Sequence, residues 1–167
     1  QRPDLNEAAG FLTDFGLKVS RQDADTLYLR ATDATSYCYR VERAERSRFV
    51  GFGLAVQSIG DLEKLSRIPG ASPVQKSEHP GKGCYVRLTD PSGFMVEAVC
   101  EQSPGKALDH RAPLRWNLAH EQPRINATQR PPVAPPDVLK LGHIVIEVAD
   151  YQATCAWYTR PFGFIPS

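Results

Sequence analysis

A long-range repeat is the feature that most limits what this chain can fold into. Laid over the start of the chain, Asp150 falls on Asp4, Trp157 on Phe11 and Thr159 on Thr13, an offset of 150 − 4 = 146 residues. With one inserted residue, Gly163 then falls on Gly16 and Phe164 on Leu17. Self-similarity at that distance points to tandem modules. The expectation is a first module, a linker and the beginning of a second module, cut off soon after its first helix. A lone strand and helix would leave a sheet edge and an apolar face uncovered, so about one further module is expected past Ser167, and an opening strand before Gln1.

Within the first module, residues 4–15 read as a helix. Asp4 is the cap, Glu7 sits three residues on as in a capping box, and Gly16 is the stop. Leu5, Ala8, Leu12 and Phe15 form its apolar stripe. Strand-like stretches follow at 17–21, 26–31 and 36–42; in the second, Leu27 and Leu29 alternate with Tyr28 and Arg30, the pattern of a half-buried strand. A strand at 52–57 leads into a helix begun by Ser58 and Asp61, carrying Leu62, Leu65 and Ile68 and stopped by Pro69-Gly70. Strands at 74–77 and 84–88, a turn at Asp90-Pro91-Ser92-Gly93 and a strand at 94–99 complete the series. The order is one β-α-β-β-β unit written twice, which makes the class α+β: a curved, largely antiparallel mixed sheet with helices on its outer face. Leu12, Phe15, Leu62, Leu65, Val86 and Val96 are expected in the core.

The boundaries expected are residues 1–102 for the first module, 103–137 for a linker and 138–167 for the start of the second module. The linker is set apart by its prolines (Pro104, Pro113, Pro123, Pro131, Pro132, Pro135 and Pro136) and its lack of apolar periodicity. After it, residues 141–148 read as a strand. Alternation puts Ile144, Ile146 and Val148 on one face, fit to lie under a helix, and His143, Val145 and Glu147 on the other.

Charge and cysteine usage exclude several classes. Twenty basic against nineteen acidic residues leave +1, without a basic stripe, so neither nucleic acid nor an anionic membrane is an expected partner. No apolar run approaches the ~20 residues of a membrane span. Cys38, Cys84, Cys100 and Cys155 stand far apart and read as reduced thiols of a cytoplasmic protein. Asn126-Ala127-Thr128 fits the glycosylation triplet but carries little weight in such a chain.

Two residues stand out chemically. His143 sits at a strand start, facing away from the apolar side; a lone histidine there is more often held by backbone and water than by a metal. Glu97 interrupts the apolar stretch Phe94-Met95-Val96-Glu97-Ala98-Val99, where a carboxylate must be exposed, paired or metal-bound. His79, His110 and His120 fall in loop or linker without ligand-like spacing and read as surface. No phosphate loop, nucleophile elbow or carboxylate pair is present.

Taken together, the doubled β-α-β-β-β unit, the Asp90-Pro91-Ser92-Gly93 turn with Glu97 behind it, and the reopening Leu141-Gly142-His143-Ile144-Val145-Ile146-Glu147-Val148-Ala149-Asp150 resemble the vicinal oxygen chelate superfamily of glyoxalases, bleomycin-resistance proteins and extradiol dioxygenases. The two-module layout is most similar to dioxygenases acting on dihydroxybiphenyl-like catechols. The resemblance implies an enzyme whose second module holds iron(II), or alternatively manganese(II), through two histidines and a glutamate. His143 would be the first ligand and the others would fall past Ser167. Such a ligand set leaves adjacent positions open for the substrate oxygens and dioxygen. It further implies an aromatic small-molecule substrate, dioxygen as co-substrate and a homo-oligomer, with Glu97 a vestige in a module without metal. The alternatives are a glyoxalase-type metal-dependent isomerase or lyase, and a metal-free binding protein of the antibiotic-sequestering kind.

Overall fold

The computed structural model describes residues 1–126, 130 and 133–166. Helix α1 (Leu5–Asp14) starts where the sequence places it: the Asp4 carboxylate accepts from the N–H groups of Asn6 and Glu7 at 2.7 and 3.1 Å. These are two of the donors that a helix start leaves without partners. Phe15 is the closing residue, and Gly16 at φ +112° turns the chain so that the Leu17 N–H reaches the Leu12 carbonyl. That turn corrects one expectation. Leu17, not Phe15, enters the core beside Leu5 and Leu12, and Phe15 is 61% exposed. A 3.6-residue stripe points inward only while the helix lasts.

Strands β1 (Lys18–Gln22), β2 (Thr26–Arg30) and β3 (Tyr39–Glu42) form an antiparallel sheet in the order β1-β2-β3. Helix α1 packs Leu5 and Leu12 against Leu27, Leu29 and Val41 of this sheet. Beyond β3 lies Arg2, bridged in parallel to Arg43; its N–H donates to the Glu42 carbonyl, and its own carbonyl accepts from Ala44, both at 3.0 Å.

The second half is a fuller copy. Strand β4 (Gly51–Ala55) leads to α2 (Ile59–Leu65), β5 (Gln75–Lys76), β6 (Cys84–Thr89) and β7 (Met95–Cys100), with sheet order β4-β7-β6-β5. Here β4 runs parallel to β7, the relation that Arg2 bears to β3. Ser58 caps α2, accepting from the Asp61 N–H at 3.2 Å. Leu62 and Leu65 bury against Val86, Leu88, Ala98 and Cys100. Fully burying a leucine such as Leu62 contributes about 2 kcal/mol. Helices on one face of small mixed and antiparallel sheets give the expected α+β class. Five of the six expected core residues, Leu12, Leu62, Leu65, Val86 and Val96, are buried.

Among the described residues between Cys100 and Tyr151 there is no helix or strand. The segment is nevertheless tied down at both ends. Gly105 and Leu108 donate to the carbonyls of Ala34 and Thr32 at 2.7 and 2.8 Å, while Val138 and Leu139 accept from Thr32 and Asp33 at 3.0 and 3.2 Å. Pro131, Pro132, and Ala127 and Thr128 of the glycosylation triplet lie outside the described residues.

The strand expected at 141–148 is absent: these residues form no ladder. An extended segment becomes a strand only when a neighbouring backbone takes up its N–H and C=O groups, and none does so here. Side-chain alternation survives only in part: Ile146 and Val148 are half-buried and His143, Val145 and Glu147 exposed, but Ile144, expected on the covered face, is exposed too because no helix lies over it. Helix α3 (Tyr151–Phe162) then repeats α1. Asp150 accepts from the Ala153 N–H at 2.9 Å, and Gly163 at φ +69° closes it. It lies on the α2 side of the second sheet, with Trp157 and Phe162 on the Leu62 cluster and Tyr158 stacked on Phe52. No helix among the described residues is long and apolar enough to cross a membrane.

Candidate functional site

The face turned away from the helices carries the chemistry. On β7, Val96, Ala98 and Cys100 bury on the helix side, so Glu97 points to the opposite face. It is only 5% exposed there. The Asp90 carboxylate accepts from the N–H groups of Ser92 and Phe94, both at 2.9 Å, which fixes the turn and with it the β6–β7 register. That register sets Arg87 opposite Glu97, and Arg87 Nε donates to Glu97 Oε2 at 2.9 Å. Arg40, from β3 of the other sheet, brings Nη1 within 3.9 Å of the same oxygen. His79 brings Nε2 within 3.9 Å of Oε1.

His79 is the residue that sequence reasoning misplaced. It was expected on the surface; instead it is largely buried in the loop between β5 and β6, bonded to Tyr28 and Arg40 and ringed by Tyr28, Tyr37 and Tyr85. Burial comes first in holding its pKa below the ordinary histidine value; the Arg40 charge adds to this, and Glu97 opposes it. Burial, with Glu97 nearby, also raises the Tyr37 pKa. The half-buried pattern expected of β2 is corrected at the same place. Tyr28, on its outward face, is 3% exposed because His79, Tyr37 and the Arg21 guanidinium cover it. One signal in the sequence could have found Arg87: a hairpin closed by Asp90 to Phe94 pairs residues whose numbers sum to 184, which sets 87 against 97. No local signal marks His79.

The arrangement answers whether Glu97 fits a metal. Two guanidiniums flank a carboxylate already engaged at hydrogen-bond distance, so a divalent cation would meet positive charge where it needs oxygen and nitrogen donors. Glu97 anchors an ion cluster and does not fit as a metal ligand. Among the described residues no three His, Cys, Asp or Glu side chains converge to hold an ion. His143 is exposed on an irregular stretch, and the structure does not bring it to Glu97 or His79.

On the other face, α3, the end of the α2 segment and the β6–β7 turn frame a shallow groove of about 590 Å³ lined by Ile68, Pro91, Ala153, Trp157, Arg160 and Pro161. It holds no acid, base or nucleophile; the titratable groups gather in the cluster across the sheet, and there we place the candidate site. At the inner edge of the α3 contact, Tyr158 donates to the buried Asp90 carboxylate at 2.9 Å. Burial, and that carboxylate, raise the Tyr158 pKa.

No family model matches the chain, and no curated protein matches it. Solved structures do. A Mn(II)-bound glyoxalase from Novosphingobium aromaticivorans superposes with a TM-score of 0.59 at 24% identity, over 65% of this chain and 38% of that one. A homoprotocatechuate 2,3-dioxygenase variant from B. fuscum gives 0.55 at 22%, over 63% and 31%. The homoprotocatechuate 2,3-dioxygenase from Arthrobacter globiformis gives 0.53 at 24%, over 63% and 35%. The chain has the fold of these enzymes. It spans roughly a third of their length, 31% to 38%.

Proposed function

We propose that this chain is the first module, residues 1–102, and the opening, residues 138–167, of a two-module dioxygenase that cleaves an aromatic vicinal diol, joined by the linker 103–137. The observation that carries the reading is the repeated helix start: Asp150 caps α3 as Asp4 caps α1, at the offset of 146 residues read from the sequence. His143 stands just ahead of that second helix and is the first metal ligand in this reading. The other two ligands fall past Ser167. When bound, iron(II) or manganese(II) supplies a Lewis-acidic centre with adjacent positions for a catechol's two oxygens. In this chain His143 must be neutral to serve, so metal affinity falls in acid. Residues 1–102 act as the scaffold, their carboxylate Glu97 committed to arginine.

A metal-dependent glyoxalase-type isomerase or lyase is the second reading, favoured by the higher TM-score of the Mn(II)-bound glyoxalase. The gene sequence after Ser167 is the first test: a histidine and a glutamate at the second-module positions support a metalloenzyme, and loss of either argues for a binding protein. Anaerobic loading of the full-length protein with iron(II), followed by oxygen uptake with a panel of catechols, then separates the enzymes; residues 1–167 alone should hold no catalytic metal and show no turnover. Uptake supports the dioxygenase; metal binding without uptake supports the glyoxalase type.

A further inference from the structure

We propose that His79 is a proton-operated exchange point between the two sheets: neutral, it accepts from Arg40 on β3; protonated, it releases Arg40 and donates to Glu97 on β7.

The bonding pattern fixes the neutral state. A guanidinium only donates, so the His79 Nε2 that contacts Arg40 Nη1 carries a lone pair. The ring proton is therefore on Nδ1, donated to the Tyr28 oxygen at 2.7 Å. Protonation puts an N–H where the arginine donor points, and that contact becomes repulsive. Both sides have an alternative within reach. Glu97 Oε1 is already 3.9 Å from Nε2, while Oε2 stays on Arg87. Arg40 Nε is 3.4 Å from Glu42 Oε1 on its own strand.

Every packed element presents a group to this ring. Arg21 comes from β1, Tyr28 from β2, Tyr37 from the approach to β3, Arg40 from β3 with Glu42 paired behind it, Glu78 from the ring's own loop, Tyr85 and Arg87 from β6, and Glu97 from β7. Burial and the arginines oppose the proton, and Glu97 favours it. The folded value thus lies below the unfolded one, about 6.5. The stability this neutral histidine contributes is complete above that pH and declines as the pH falls towards the folded value. What changes with the proton is the tie between the sheets. Arg40 spans from β3 to His79 and Glu97, and after exchange it pairs only with its own strand.

The test is long-range ¹H–¹⁵N spectroscopy of the four histidines in this chain, with His79 assigned through His79→Gln. At pH 8 His79 should show the Nδ1-protonated tautomer. On acidification the Arg40 Nε resonance should move with the same midpoint as the ring. Arg40→Gln should raise that midpoint, and Glu97→Gln lower it, each by roughly half a unit or more. An Nε2-protonated tautomer at pH 8, or an Arg40 signal indifferent to the titration, overturns the proposal. Should either variant fail to fold, the wild-type titration alone decides it.

Discussion

Replacing Glu97 by glutamine tests whether the ion cluster ties the two sheets together. The substitution keeps the shape and removes the charge from a side chain that is 7% exposed. Arg87, 40% exposed, can swing into water; Arg40, at 14%, cannot, and is left with Glu42 at 3.4 Å and its contact with His79. Breaking a fully buried pair costs about 3–5 kcal/mol, and solvent access at Arg87 scales this to about 2 kcal/mol here. Urea unfolding should show that loss as a lower midpoint at unchanged slope. Adding Arg87→Gln separates pairing from burial. If the two side chains act on each other, the double variant should be more stable than the sum of the singles by about 1 kcal/mol or more. A single-variant cost below about 0.5 kcal/mol, together with additive singles, would refute the claim that the cluster ties the sheets.

Tyr158→Phe leaves the buried Asp90 Oδ2 without its α3 partner and should cost about 1–3 kcal/mol, read as faster amide exchange across residues 151–162. Asp150→Ala removes the cap of α3 and should cost about 1 kcal/mol of helix stability, seen in the same exchange profile and not in that of α1. Leu62→Ala opens a cavity between α2 and the second sheet, and thermal unfolding should report a loss of about 3 kcal/mol.

Much of the fold could be read from the sequence because it is decided locally. Asp4, Ser58 and Asp150 cap the helices they were expected to cap, and the Asp90 turn fixes the hairpin beside it. The misreadings have two different sources. Phe15 lies past the last helical residue, where the left-handed Gly16 beside it redirects the chain, whereas residues 141–148 depend on a distant backbone to complete a ladder. The site was half legible. Glu97 announced that it needed a partner, and Arg87 was available in the hairpin register. Arg40 and His79 reach it from another sheet and another loop, and only tertiary packing brings them together.

The irregular segment after β7 leaves and rejoins the sheets at one spot, since residues 105 and 108 and residues 138 and 139 all bond to the turn at 32–34. The two ends of this excursion are therefore soldered to the same plate. Doubling its length adds only about 0.6 kcal/mol of closure entropy, so this excursion can take a fluorescent or affinity domain, or be shortened, while Val138 stays seated beside the first core and everything downstream keeps its starting point.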